Sequence, residues 1–287
     1  MEILLLGKNG QLGWELQRTL APLGPLTCLD YEELDLEDFG AVRAIVRDLH
    51  PDVIVNASAY TAVDQAESEQ EKAFAINGSI PGILAEEALA LGANLIHYST
   101  DYVFDGTKGA LYSEEDATNP LSVYGKSKLA GEDAIRAVGG AFLILRTSWV
   151  YSMRRGSFVS KTMEWSRRQE KMRVVDDQIG NPTWARMLAE ITALVLAQGR
   201  VALKDHAGVY HLAGNGFASR IEWSRRILEL DPNRQEQVVK EIVPARTSDF
   251  PTPATRPLFS ALDCSHFTRT FGLELPAWQK SLELAMG

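Results

Sequence analysis

Short, nearly unbroken apolar runs punctuate the chain, and longer stretches with a three-to-four-residue apolar rhythm lie between them. The runs Ile3–Leu6, Leu26–Leu29, Val53–Asn56, Asn94–Ser99, Phe142–Thr147 and Arg173–Val175 read as strands. The segments Gln11–Ala21, Phe39–Leu49, Glu67–Leu91, Tyr124–Val138 and Phe158–Gln169 read as helices. Strands that are apolar throughout are buried on both faces. In alternation with helices they predict a parallel sheet covered on either side, with right-handed crossovers. The expected fold class is α/β, a doubly wound parallel sheet of Rossmann type.

After about Asn181 the rhythm changes. A helix over Met187–Gln198 is followed by a short strand, Val209–Leu212, and a helix over Ile221–Leu230. The segment Val243–Pro257 then carries four of the chain's 12 prolines, a density that suits an extended loop. The expected division is a dinucleotide-binding domain over 1–180 and a smaller substrate-binding lobe over 181–287.

Composition narrows the function. A formal net charge of −9 leaves no basic excess for neutralising phosphates along a nucleic acid. Cys28 and Cys264 are too far apart in sequence to suggest a disulfide framework, and the five histidines are scattered, so no metal site is expected. No charged leader precedes an apolar core, and no apolar run approaches a membrane span. A cytoplasmic protein without membrane association is expected.

In a doubly wound sheet, ligands bind beyond the carboxyl ends of the strands. The first strand runs into G-K-N-G-Q-L-G, with Gly7, Gly10 and Gly13 opening a helix. This is the setting in which backbone N–H groups and a helix N-terminus cradle a pyrophosphate. Asp30 ends the second strand, where an acid can bond an adenine ribose. Lys8 could instead meet a 2′-phosphate, and Asp35 and Leu36 could border the adenine. The small residues Ala57–Ala59 let the third strand's end pass close beneath a cofactor. Thr100, at the end of the fourth strand, offers a neutral hydroxyl donor. Tyr124 and Lys128 stand four residues apart, hence on one helical face, where an ammonium could lower a phenol's pKa.

Taken together, G-K-N-G-Q-L-G-W-E-L, V-N-A-S-A-Y-T-A-V-D-Q-A-E, Y-S-T-D-Y-V-F-D-G and Y-G-K-S-K-L-A-G-E resemble the extended short-chain dehydrogenase/reductase family. More narrowly, with L-R-T-S-W-V-Y, D-D-Q-I-G-N-P-T and F-P-T-P-A-T-R-P, they resemble its dTDP-4-dehydrorhamnose reductase branch along nearly the whole chain. The resemblance implies reduction of a C4 ketone on a dTDP-sugar. Tyr124 would be the general acid, Lys128 would tune it and bond the nicotinamide ribose, and Thr100 would bond the carbonyl oxygen. It implies NADPH as cofactor with NADH also accepted. Gly10, Gln11 and Leu12 would touch the pyrophosphate, and Ala59, Tyr60, Thr61 and Tyr98 would line the cofactor. Asp101, Tyr102 and Trp149 would face the sugar. Lys161 and Arg256 are candidates for the substrate diphosphate, the alternative for each being an ordinary surface cation.

Departures from the family pattern bear on these expectations. Tyr60 replaces a histidine common in relatives, and S-F-V-S-K-T-M carries an extra residue before Lys161. Some relatives form dimers bridged by magnesium. Glu15 matches one of their acids, but Arg186 replaces another, so no metal bridge is expected and a homodimer stays open. Another nucleotide-sugar reductase, such as a 6-deoxytalose-forming one, would share the Thr100–Tyr124–Lys128 trio. A non-catalytic NADP-binding regulatory subunit would tend to lose it.

Overall fold

Six parallel strands set the positions of everything else. In the computed structural model, which describes residues 1–287, these are β1 (Ile3–Leu6), β2 (Leu26–Leu29), β3 (Val53–Asn56), β4 (Asn94–Thr100), β5 (Ala141–Thr147) and β6 (Gly208–His211). Their order is β6-β5-β4-β3-β1-β2. The chain thus moves from β1 to β2 on one side and then to β3 on the other, the reversal that opens a crevice at the strand ends.

Both faces are covered. Ile3, Leu5, Val53 and Val55 pack against α1 (Gln11–Leu20) through Leu16 and Leu20. Leu4, Leu6 and Ile54 turn the other way, onto Val42 and Val46 of α2 (Phe39–Leu49) and Leu84 of α3 (Ile80–Leu91). The side-chain period of two therefore feeds two cores from one strand, and each such side chain contributes about 1.5–3 kcal/mol on burial. The second face also takes Ile135 of α4 (Val123–Val138), while α5 (Ala185–Ala197) packs beside α1 on the first. No helix is long and apolar enough to cross a membrane.

Several expected elements fall differently. Val209–Leu212, read from sequence as part of the second lobe, supplies β6 and pairs with β5 from Gly208↔Leu143 to His211↔Arg146. Helix α5, also beyond residue 180, covers the main sheet. Conversely, Lys171–Val175 lies outside that sheet and pairs with Glu241–Ala245. The division between sheet and lobe is thus interleaved along the chain rather than drawn at one residue. Pro244 sits in this small sheet opposite Val174, so the first part of the proline-rich segment is a strand, which a two-stranded ribbon tolerates because both strands are edges. The lobe's own core gathers around Trp223 and Ile227 of α6 (Arg220–Leu230), with Tyr151, Met172 and Leu282.

A buried ion pair ties α4 to the sheet. Arg146 of β5 donates to Glu132 Oε2 at 2.7 Å, and Ser99 of β4 donates to Glu132 Oε1 at 2.5 Å. Both charged side chains are buried, and His211 of β6 lies against Arg146.

The helix expected over Glu67–Leu91 is broken. After Gln70–Phe74 the backbone widens into a π turn over Ala75–Ser79 before α3 begins. Such turns cluster at functional sites, and this one carries Asn77, a fully buried carboxamide. Asn77 Oδ1 accepts the Tyr60 amide at 2.9 Å, while Nδ2 donates to the Tyr60 carbonyl and to Ser127 Oγ, both at 3.0 Å. Asn77→Ala would remove the partner of the Tyr60 amide and carbonyl and one of the two bonds of Ser127 Oγ, which also donates to the Tyr124 carbonyl at 2.8 Å. We expect it to lower unfolding stability by roughly 2–4 kcal/mol, measured as a shift in the urea midpoint, whereas an exposed position would shift by a few tenths.

Candidate active site

One cavity of about 920 Å³ runs along the carboxyl ends of β1 to β5. At one end lies the glycine turn. Gly7 has φ +85°, a conformation that favours glycine, and a Cβ on Gly13 would lie 1.9 Å from the Gly7 carbonyl oxygen. The turn can therefore press α1 directly onto β1. Gly10 caps α1 with no side-chain hydrogen bond, so N–H groups of the first turn are left open beside Gly10, Gln11 and Leu12, which line the cavity. Gly13 itself serves the packing and does not line it.

Asp30 holds this turn in place. Its carboxylate accepts the Asn9 amide at 2.7 Å and the Tyr31 amide at 2.8 Å. Lys8, expected as a counterweight to Asp30, is turned to Glu33 at 2.5 Å and does not line the cavity. Asp35, Leu36, Ala57, Ala59 and Thr61 do line it. Tyr60 does not: its hydroxyl donates to Glu69 at 2.9 Å while Asn77 holds its backbone.

The other end gathers the groups capable of proton chemistry. Tyr124, in the first turn of α4, is set by the Ser122 cap, whose hydroxyl accepts the Gly125 amide at 3.2 Å. Burial pushes the Tyr124 phenol above its usual pKa, a hydrogen bond with Thr100 acting in the opposite direction. The phenol therefore stays protonated at neutral pH. The expected effect of Lys128 on it is not how the lysine is engaged here. The ammonium, 1% exposed, donates to the Tyr98 carbonyl at 2.6 Å and lies 3.2 Å from His97 Nε2. Burial pulls Lys128 down to about 8. Burial, with Lys128 next, holds His97 well below its usual range, so the imidazole is neutral, and Asn56 lies against its other nitrogen at 3.1 Å. Tyr98 lines the cavity while its phenol pairs with Thr192 on α5 at 2.6 Å.

Thr100, Asp101 and Tyr102 follow at the end of β4, and all three line the cavity. Thr100 Oγ1 accepts the Tyr102 amide at 3.1 Å and lies 3.2 Å from Asp101 Oδ1. Asp101 is buried and receives hydroxyls from Ser260 at 2.5 Å and Ser148 at 3.0 Å; burial nevertheless outweighs these bonds and raises it to about 6. The rings of Tyr102 and Tyr124 meet edge-on, 5.7 Å apart. Trp149 stands in the wall with φ +43°, a left-handed backbone for a bulky residue.

The two cations expected near a diphosphate fall elsewhere. Lys161 is exposed on the helix Phe158–Ser166 and lines no part of the cavity. Arg256 is bound to Asp64 at 2.7 Å and to the Ala254 carbonyl at 3.2 Å. Sequence reasoning missed Arg220, which does line the cavity. Its one visible signal was the capping box Ser219-x-x-Glu222, which marks the start of α6 but not where the next residue points.

Sequence and structure comparisons converge. The RmlD substrate binding domain family matches residues 1–286. A dTDP-4-dehydrorhamnose reductase of Burkholderia thailandensis is 43% identical, the alignment covering 100% of this chain and 98% of the relative. This chain belongs to the dTDP-4-dehydrorhamnose reductase family. Among solved structures, the family member from Clostridium acetobutylicum superposes with a TM-score of 0.92 at 34% identity, covering 100% of this chain and 98% of the other. The member from Bacillus anthracis, solved in complex with NADP, gives 0.89 at 32% identity, covering 99% of each.

Asp101 makes a pH test possible on this family member without any ligand. A carboxyl raised from 3.8 to about 6 favours folding when protonated. That contribution is fully present below the unfolded pKa and is lost as pH rises through the folded one. The shift corresponds to something on the order of 3 kcal/mol. Asp101→Asn, which fixes a neutral group of the same shape, should flatten the fall in stability between about pH 4 and 6. Urea unfolding of both proteins at stepped pH checks this, and parallel curves would show that Asp101 ionises in the ordinary way.

Proposed function

We propose that this protein reduces the C4 ketone of dTDP-4-dehydro-6-deoxy-L-mannose (dTDP-4-dehydro-β-L-rhamnose) to dTDP-L-rhamnose, the last step of dTDP-L-rhamnose synthesis. The observation that carries the reading is the meeting of Thr100, Tyr124 and Lys128 at one end of a cavity whose other end is an open glycine turn. We take NADPH as the cofactor, with NADH also accepted. The uncapped first turn of α1 fits a pyrophosphate, because its open N–H groups face the cavity and Gly7 and Gly13, where a Cβ would meet neighbouring backbone, let the turn close tightly onto β1 and β3. Bound there, the reduced nicotinamide supplies the hydride.

The chain's own residues do the rest. Tyr124 holds a proton that burial keeps in place at neutral pH and aims it at the ketone oxygen. Thr100 donates to the same oxygen, so charge developing on it meets two prepositioned donors. Lys128, a buried cation steadied by the Tyr98 carbonyl, would hold the nicotinamide ribose. Asp101 and Tyr102 flank the sugar, and Trp149 walls it. The Asp30 carboxylate, which keeps lone pairs after binding two amides, takes the adenine ribose. Nucleotide sugars and reduced nicotinamides are cytoplasmic pools, which places the reaction in the cytoplasm; a homodimer is compatible with it.

Two experiments test this. Tyr124→Phe keeps the ring and removes the O–H, so fold and cofactor affinity should survive while turnover falls by roughly 10²–10⁴-fold. The rate is followed by loss of reduced-nicotinamide absorbance. Near-normal turnover would remove Tyr124 as the acid. Product analysis should give the rhamno configuration, and a talo product would move the protein to a sister activity. In the second experiment, Asp30→Ala should weaken cofactor binding and shift the NADH/NADPH preference toward NADPH, read by fluorescence titration. An unchanged preference would take Asp30 away from the ribose.

A further inference from the structure

The lobe contributes one cation to the cavity whose hydrogen-bonding capacity is unused. Arg220 is the first residue of α6, placed by the Ser219–Glu222 capping box, and its amide donates to the Gln178 carbonyl at 3.2 Å. Its guanidinium lies over aromatic rings, the central carbon 3.5 Å from the centre of Trp149 and 4.8 Å from that of Phe158. Stacking uses the face of the group and leaves the N–H donors on its edge free. No carboxylate lies within ion-pair distance of it and no acceptor bonds its side chain, although the Asp101 carboxyl is near enough to act on its charge. Burial lowers it to about 10, so the folded chain holds this charge against a desolvation cost.

The other cavity cations are differently placed. Lys128 is engaged by Tyr98, and Lys72 lies 3.5 Å from Glu37 at the glycine-turn end. Arg155 is exposed on the loop between Tyr151 and the helix Phe158–Ser166. Arg220 lies beside Trp149, and the charge it feels from Asp101 puts it near the Thr100–Tyr124 side of the cavity rather than among the residues of the glycine turn. Arg256 adds positive potential nearby while its own donors are committed to Asp64. A stacked, desolvated fork with free edges suits an anion bearing several oxygens.

We propose that Arg220, rather than Lys161 or Arg256, binds the diphosphate of the nucleotide-sugar substrate, with Trp149 as the platform that fixes the plane of the fork. The assignment rests on the nucleotide-sugar reading above. It gives the strained backbone of Trp149 a purpose, since the ring must face both the cavity and the guanidinium.

Calorimetric titration with dTDP and with thymidine, alongside titration with NADPH, separates the possibilities. The wild type should bind dTDP far more tightly than thymidine. Arg220→Gln should weaken dTDP binding, and raise KM for the keto sugar, by about 10–100-fold, the loss typical of a charge-assisted bidentate contact. Thymidine and NADPH affinities should stay unchanged, which also certifies the fold. Arg220→Lys should recover part of the loss, because a point charge cannot reproduce the fork. If Arg220→Gln binds dTDP as the wild type does, the assignment to Arg220 is wrong although the substrate reading stands. A wild type that binds dTDP no better than thymidine overturns the nucleotide-sugar reading and this inference together.

Discussion

Asn77 is the point on which the geometry of the cavity turns. Its carboxamide holds the amide and carbonyl of Tyr60 and the hydroxyl of Ser127 at once. The first belongs to the loop that leaves β3, and the second to the helix that carries Tyr124 and Lys128. One dry, fully paired amide thus fixes the distance between two halves of a site that come from segments some sixty residues apart. Such a node is rigid because the Asn77 side chain is itself wholly buried, so each bond it loses leaves part of its own amide unpaired. The π turn over Ala75–Ser79 sets where Asn77 points, since a regular α-turn there would place it elsewhere around the helix axis.

With that frame set, the buried charges fall into complementary states. The chain as a whole is acidic, with a net charge of −9, yet the cavity holds two buried or partly buried cations, Lys128 and Arg220, and one acid with reduced readiness to ionise, Asp101. Burial is the leading cause of each shift, and it acts in the direction that favours the neutral form. The same burial keeps the Tyr124 proton in place, which is the state a ketone reduction consumes. Desolvation that costs the resting fold some stability leaves fewer solvent dipoles to reorganise when charge moves.

Most of the sheet was legible in the sequence because its strands are apolar on both faces and short. β1, β2 and β3 fall on the same residues in both readings, and α1 and α2 differ by at most one residue. What was not legible is partnership. Nothing local in Val209–Leu212 says that it will pair with β5, nor in Arg173–Val175 that it will not, since sheet membership is decided by packing far along the chain. The site divides the same way. Gly7, Tyr124 and Lys128 announce themselves because their chemistry depends on local spacing. Lys161 and Arg220 are both cations at the starts of helices. The three-dimensional placement of those helices puts Lys161 in solvent and Arg220 in the cavity, and no sequence pattern encodes that choice. The break at Asn77 was invisible for a related reason, as the apolar rhythm of Glu67–Leu91 continues through it.

The Glu132–Arg146 pair has a bearing on how this sequence can drift. Each partner is almost wholly removed from water, and together with Ser99 they join α4 to β4 and β5. Losing either one leaves the other as an unpaired ion in the core, a change on the order of 3–5 kcal/mol, whereas exchanging both for apolar residues of similar volume can be neutral. The viable replacements are thus separated from the present sequence by intermediates close to unfolding. Such a pair should persist over long divergence and then vanish as a unit.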